Sequence, residues 1–308
     1  MSIAIFHEHP KWNAPLFGEL DRRGLKWSSI DASGLDFDPT LVDDWEVLVN
    51  RMSPSAWTRG HLAAMLQTPE FLHNVESAGI PVINGSKSFE FELSKRKQLD
   101  LLRCERVRHP EGRPVLNTGE ILGAAIDLTF PVLVKPNVGG SGAGITEHQT
   151  MQELSAAVEA GLLDDLGPDG TGLVQEKLPA RADSIVRVEI LGGKFLYAIK
   201  LQLQPGSFNL CPADYCDPAQ SNADVSDLVS GYVPPAHLIE EAARIIGATD
   251  ADLGGVEYLV NDLDGEAYFY DINALSNFVA DAPNVVGFDP FVHLVDFIED
   301  RARRQVLV

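Results

Sequence analysis

The stretch that most constrains this chain is a strand-like run that ends in lysine and passes straight into glycines. Phe130-Pro131-Val132-Leu133-Val134-Lys135-Pro136 is followed by Asn137-Val138-Gly139-Gly140-Ser141-Gly142-Ala143-Gly144-Ile145, with four glycines in six residues. The apolar run reads as a buried strand. Glycines without Cβ atoms let the following loop turn its amides toward an anion, and a lysine at the strand end adds a point charge suited to phosphate. Spacing excludes two common phosphate loops. A Walker loop ends in Gly-Lys-Ser/Thr, whereas Gly144 leads into Ile145-Thr146. A dinucleotide fingerprint starting at Gly140-Ser141-Gly142 needs Gly or Ala where Ile145 stands. A nucleoside triphosphate is the ligand that suits what remains.

A second cluster pairs Gly255-Val256-Glu257-Tyr258-Leu259 with Tyr270-Asp271-Ile272-Asn273. Period-two alternation puts Asp271 and Asn273 on one strand face. If the two strands pair, Glu257 faces them, and three hard oxygen ligands of this kind hold Mg²⁺ while phosphates and water complete the shell. The bland reading is a polar sheet face turned to solvent. Between the clusters, Leu173 to Leu178 is an apolar strand turning polar, a passage that offers backbone groups to an adenine edge. Arg187 and Lys200 lie on the two arms of an expected hairpin, where cations reach a γ-phosphate or stand as ordinary solvated charge.

The rest of the sequence sets the frame. Its first 85 or so residues alternate short apolar runs with amphipathic stretches, the pattern of a small α/β sheet, and Gly79, Pro81, Asn84 and Gly85 punctuate a boundary near residue 86. Beyond it strands come in pairs: Ile185–Leu191 with Phe195–Leu203 around Gly192-Gly193, and Gly255–Val260 with Ala267–Ile272 around a loop ending in Asp264-Gly265. Helices are expected over Thr150–Ala160, with Thr150 and Glu153 at capping-box spacing, over Ala236–Ile246 and over Pro290–Arg304. Residues 204–235, rich in Pro, Asp, Ser and Asn, read as a long functional loop.

With 308 residues, 45% hydrophobic and 22% charged, the chain matches a globular enzyme of one or two domains. A formal charge of −21 disfavours DNA or RNA as partner. Cys104, Cys211 and Cys216 form no C-x-x-C pair, and no apolar run approaches a membrane span, so a cytoplasmic location is expected. His7-Glu8-His9 lacks the i, i+4 spacing of helical zinc sites and reads better as a substrate-side loop.

Taken in order, Ser94-Lys95-Arg96-Lys97, Val132–Pro136, Gly139–Gly144, Val174-Gln175-Glu176, Arg187, Glu257, Asp271 and Asn273 resemble the ATP-grasp superfamily over about residues 86–290. The chain is most similar there to the glutamate-ligase and D-alanine:D-alanine-ligase branches, which are carboxylate–amine ligases. The resemblance implies an α/β and α+β architecture: a Rossmann-like, pre-ATP-grasp domain over 1–85 on the substrate side, then an ATP-grasp fold of two α+β subdomains, a central lid over 86–178 and a C-terminal one over 179–308 carrying the metal site. It implies ATP and Mg²⁺, with Mn²⁺ as a substitute. Lys95, Lys135, Gly139, Gly140, Ser141, Gly142 and Gly144 would hold the phosphates, and Gln175, Glu176, Lys177 and Leu178 the adenine. Glu257, Asp271 and Asn273 would bind metal, while Arg187, Lys200 and Asn273 would act on the transferred phosphoryl group.

The activity so implied is ATP-dependent amide or peptide-type bond formation through an acyl-phosphate, from small carboxylate and amine substrates such as amino acids or a peptide, by a homo-oligomer. The same machinery serves a kinase, a ligase with a non-amine acceptor, or a nucleotide-binding protein without catalysis. The chain also departs from the pattern. Ser207–Asp214 replaces an acceptor-seating Arg-Gly-Gly with only Asn209 retained, Ile185-Val186-Arg187 replaces an Asp-x-Arg lead, and Asp271 stands where many relatives have Glu.

Overall fold

The computed structural model describes residues 2–34, 38, 40, 42–204 and 228–305, the side chains of 304 and 305 excepted. Three sheets organise it. The first is parallel, in the order β2 (Lys26–Asp31), β1 (Ser2–His7), β3 (Val47–Arg51), β4 (Val82–Ile83). Helix α1 (Pro10–Arg22) joins β1 to β2, and α2 (Leu62–Ser77) lies between β3 and β4. Every residue of β3 is buried, as expected of a central parallel strand covered on both faces. Helices α3 (Ser86–Glu92) and α4 (Lys95–Cys104) lead out of this sheet; the Ser94 hydroxyl caps α4 by accepting from the Lys97 amide at 3.2 Å.

The second sheet is antiparallel: β5 (Gly112–Val115), β8 (Gly172–Glu176), β6 (Val132–Pro136), β7 (Thr146–His148), with α5 (Ile121–Ala125) and α6 (Met151–Glu159) packed on it. The sequence offers no signal for β5 or β7, which are only four and three residues long. The third sheet runs β11 (Val229–Tyr232), β10 (Lys194–Gln202), β9 (Ala180–Leu191), β12 (Leu253–Asn261), β13 (Ala267–Asn273), with α7 (Ala236–Ala248), α8 (Ala282–Val286) and α9 (Pro290–Gln305). Strand β11 falls inside the stretch expected to be loop; the rest of that loop, with Cys211, Cys216 and Ser207–Asp214, lies outside the described residues. The turn between β9 and β10 places Gly192 and Gly193 at φ 57° and 74°, a left-handed pair that explains the Gly-Gly hairpin signal.

The two faces of the third sheet enter different cores. Ile185, Tyr197, Ile199 and Leu201 pack with Ile3, Ile5, Leu16, Leu294 and Ile298, so this face, α1, α9 and one face of the first sheet share a core. Val186, Val188, Ile190 and Ala198 pack instead with Leu238, Ala242 and Ile245 of α7. Asn84, buried and at φ 57°, stitches the first sheet to the third: its Oδ1 accepts from the Asp252 and Leu253 amides at 2.9 Å, and its Nδ2 donates to the Leu253 carbonyl at 2.7 Å and to that of Ala274. No helix among the described residues is long and apolar enough to cross a membrane.

Candidate active site

The second and third sheets, with Trp12 of α1 and Ser53, Pro54 and Ser55 just past β3, line a cavity of about 1180 Å³. Lys95, Lys135, Gly139, Gly140, Ser141, Gly142, Gln175, Glu176, Lys177, Leu178, Arg187, Glu257, Asp271 and Asn273 line it. Two expected site residues do not. Gly144 is at φ 71°, and a Cβ there would sit 2.7 Å from Pro136 Cγ, so this glycine folds the base of the loop against the strand rather than facing the cavity. Lys200 is turned to the opposite sheet face. A regular two-residue hairpin closed at Leu191–Lys194 would pair Lys200 with Ile185, on the face of Arg187. A register shift between Phe195 and Tyr197 pairs it with Val186 instead, and one residue of slip reverses the face. The expected role of Lys200 on phosphate is therefore withdrawn.

The carboxylate cluster follows from strand register. Glu257 is opposite both Arg187 on β9 and Asp271 on β13, and Gly255 is opposite Asn273. Asn273 Nδ2 lies 3.4 Å from Asp271 Oδ2, so the two share a face as alternation requires. A second irregularity, just after Glu257, leaves Tyr270 as an extra residue on β13. Tyr270 can thereby donate its hydroxyl to Glu257 Oε2 at 3.0 Å. Arg187 is almost completely buried and donates to Glu189 at 2.6 Å, to Glu257 at 3.2 Å and to Ser276 Oγ at 3.3 Å. Gly255 makes room for this guanidinium: an added Cβ would lie 2.7 Å from Arg187 Nε and 2.8 Å from Glu189 Oε1. Gly255→Ala is expected to lower stability by about 1–3 kcal/mol, measured by urea unfolding, because the added methyl forces the Arg187–Glu189 ion pair to shift.

The cations arrive from the other side. Asn137, at the end of β6, accepts from Ser94 Oγ at 3.1 Å and from the Arg96 amide at 3.0 Å, which brings the start of α4 beside the lysine-ended strand. Lys95 forms an ion pair with Asp271. Lys135 is 6% exposed, donates to the neutral Gln175 Oε1 at 2.8 Å and lies 5.7 Å from the Tyr270 ring centre. No carboxylate among the described residues pairs with it. Burial, then the neighbouring Lys95 charge, pull its ammonium down to about 8. Glu257 moves the opposite way, up to about 7, through burial and the Asp271 charge, with Arg187 only partly offsetting them. The cavity thus holds a buried lysine with no carboxylate partner among the described residues beside two carboxylates, Asp271 tied to Lys95 and Glu257 to an arginine that it shares with Glu189.

Glu92, at the end of α3, carries no motif that marks it in the sequence. It is buried on the cavity wall, accepts from the Leu275 amide, and is pushed up to about 8 by burial and then by Asp271. An unfolded carboxyl ionises near 4.5, so between 4.5 and 8 the folded state holds a proton that the unfolded state lacks, and this group's contribution to stability declines as pH rises through that window. Glu92→Gln keeps the acceptor without the proton. Thermal melts are expected to match wild type near pH 5 and to favour the variant near pH 8.

Other expectations resolve plainly. His7 is buried with Nε2 2.7 Å from Ser29 Oγ, and His9 caps α1 by accepting from the Trp12 amide at 3.3 Å, so neither lines the cavity. Cys104 is exposed and free. Lys177, in the expected adenine hinge, is ion-paired at 2.6 Å with Glu147 of β7, and apolar Phe130, Leu133, Leu178 and Leu259 line the same cavity.

No family model matches the chain. It is 27% identical over 191 residues to D-alanine--D-alanine ligase A of Bradyrhizobium diazoefficiens, covering 58% of this chain and 49% of the relative. Over 110 residues it is 31% identical to formate-dependent phosphoribosylglycinamide formyltransferase of a Synechococcus strain, covering 35% and 28%. The chain thus spans half or less of the length of these curated relatives. Solved structures match it almost end to end. D-cycloserine synthetase DcsG superposes with a TM-score of 0.73 at 16% identity, covering 98% of this chain and 100% of that one. A RimK domain protein ATP-grasp from Sphaerobacter thermophilus gives 0.67 at 19%, covering 96% and 99%. A D-alanine--D-alanine ligase from Bacillus anthracis complexed with ATP gives 0.70 at 16%, covering 99% and 97%. The chain has the ATP-grasp fold.

Proposed function

We propose that this chain is an ATP-dependent carboxylate–amine ligase that forms an amide or peptide-type bond and releases ADP and phosphate. One observation carries the reading: Lys135, buried with no carboxylate partner among the described residues, shares a cavity with Asp271, paired with Lys95, and with Glu257, whose cation Arg187 is shared with Glu189. A magnesium-bound triphosphate would bring anionic oxygens to Lys135 and a cation to the two carboxylates. Among the described residues no three His, Cys, Asp or Glu side chains form a ready metal cage. Two carboxylates and an amide are nevertheless the sparse oxygen set that Mg²⁺ accepts when phosphates and water complete its shell. Glu257, Asp271 and Asn273 would hold the ion, which when bound neutralises charge on the transferring phosphoryl oxygens.

The chain's own residues then have defined work. Lys95 and Lys135 bind phosphate oxygens, and the loop at Gly139–Gly142 covers them. The base packs on the apolar lining that Leu133, Leu178 and Leu259 give the cavity. A carboxylate cannot expel oxide, so its oxygen takes the γ-phosphoryl group from ATP, and the resulting acyl-phosphate loses phosphate when an amine attacks. Arg187 stabilises charge on the acyl-phosphate. In this reading residues 1–85 form a Rossmann-like substrate-side domain, 86–178 the lid and 179–308 the metal-bearing subdomain.

Hydroxylamine tests the reading whatever the natural amine is, because it traps acyl-phosphates as hydroxamates. With ATP, Mg²⁺ and a pool of amino acids in both enantiomers and short peptides, hydroxamate is expected to accumulate in proportion to ADP, and Lys135→Ala is expected to abolish both. Absence of any carboxylate-dependent ADP release would overturn the proposal.

A further inference from the structure

We infer that Asn277 is a catalytic hydrogen-bond donor, its amide nitrogen held toward the acyl oxygen of the carboxyl substrate by Arg51 of the first sheet. The inference rests on the ligase reading above and adds a residue that no phosphate- or metal-binding pattern points to.

The orientation of the Asn277 amide follows from chemistry. Arg51, buried at the end of β3, donates through Nη2 to Asn277 Oδ1 at 3.1 Å, through Nη1 to the Ser276 carbonyl at 2.6 Å and through Nε to Asn13 Oδ1 at 3.0 Å. A guanidinium has donors and no acceptor, so the amide atom facing it must be oxygen. Nδ2 is therefore turned away from Arg51. It has no acceptor among the described residues, while Asn277 lines the cavity with Arg187, Lys95 and Asp271. Ser276, the preceding residue, ties the two guanidiniums together: Arg51 holds its carbonyl and Arg187 its hydroxyl. The donor is thus fixed before substrate arrives, by a buried side chain whose other bonds lock its own position.

A fixed donor here matches the second half of the reaction. As the amine nitrogen attacks the acyl carbon, the carbonyl π pair moves onto oxygen. Collapse of that oxyanion breaks the bond to phosphate, which leaves with the bonding pair, and the amine proton passes to the departing phosphate or to water. A donor aimed in advance at this oxygen stabilises the charge without reorganising.

Asn277→Asp separates the proposed role from a structural one, since the carboxylate keeps an oxygen against Arg51 and deletes the donor. With the amino-acid and peptide pool and hydroxylamine, Asn277→Asp and Asn277→Ala are both expected to lose on the order of 100-fold in hydroxamate formation. Affinity for a non-hydrolysable ATP analogue, and the melting temperature of the Asp variant, are expected to stay at wild-type values. Wild-type turnover by Asn277→Asp would overturn the inference, leaving Asn277 only as a tie to Arg51. Loss of analogue binding in step with turnover would overturn it equally. If wild type itself gives no hydroxamate, the ligase reading fails and takes this inference with it, an outcome distinct from the other two.

Discussion

Arg187→Met is expected to cost about 3–5 kcal/mol of folding stability and to abolish the proposed ligase turnover together. The side chain is 4% exposed, and its two ion-pair partners, Glu189 and Glu257, are 0% and 5% exposed. Met fills the volume and leaves both carboxyls buried with no guanidinium between them. An uncompensated buried charge, rather than the lost attraction, sets the size of the penalty. Urea unfolding measures it, and the deficit should shrink as pH falls and Glu257 takes up a proton. Arg187→Lys restores one charge but cannot reach Glu189, Glu257 and Ser276 at once, so it should recover part of the stability and little of the turnover.

Asp271→Asn has the second largest expected effect, on chemistry more than on folding. The substitution is isosteric but removes the counter-charge of Lys95 and one of the two carboxylates assigned to the metal. It also removes one of the charges that hold Glu257 above the usual carboxylate range, so Glu257 should ionise at lower pH. Turnover should fall on the order of 10²–10³-fold. Nucleotide affinity without magnesium should hold or improve, because a negative charge near the phosphates is gone, while the gain in affinity on adding magnesium should disappear. Calorimetric titration of a non-hydrolysable ATP analogue with and without magnesium checks both parts. A full magnesium-dependent gain in the variant would remove Asp271 from the metal site.

What the sequence makes legible is whatever lies within one strand or one turn. Lys135 with its glycine loop announces itself in a single continuous stretch, and the alternation of Asp271 and Asn273 is local. Their convergence with Glu257 needs only the assumption that two neighbouring strands pair, which they do. Lys200 is misplaced by the sequence because its face depends on a single extra residue in a hairpin, and neither Phe195 nor Leu196 betrays an irregularity. The irregularity that brings Tyr270 onto Glu257 is invisible for the same reason.

Glu92, Arg51 and Asn277 escape a reading of the sequence because each matters through a partner far away along the chain. Glu92 meets Leu275, and Arg51 meets Ser276 and Asn277. One signal exists for Arg51: a charged residue closing the apolar-to-polar run Val47-Leu48-Val49-Asn50 at the end of a central parallel strand, where ligands gather in open α/β sheets.

In the proposed site Lys135, the glycine loop and the Glu257–Asp271–Asn273 set surround one magnesium-bound triphosphate. A crystal structure with magnesium and a non-hydrolysable ATP analogue would decide whether they do. A phosphate oxygen is expected within about 3 Å of Lys135 Nζ, with a metal ion held by Glu257 and Asp271. A nucleotide bound away from Lys135, or a triphosphate whose metal touches neither carboxylate, would contradict the proposed site.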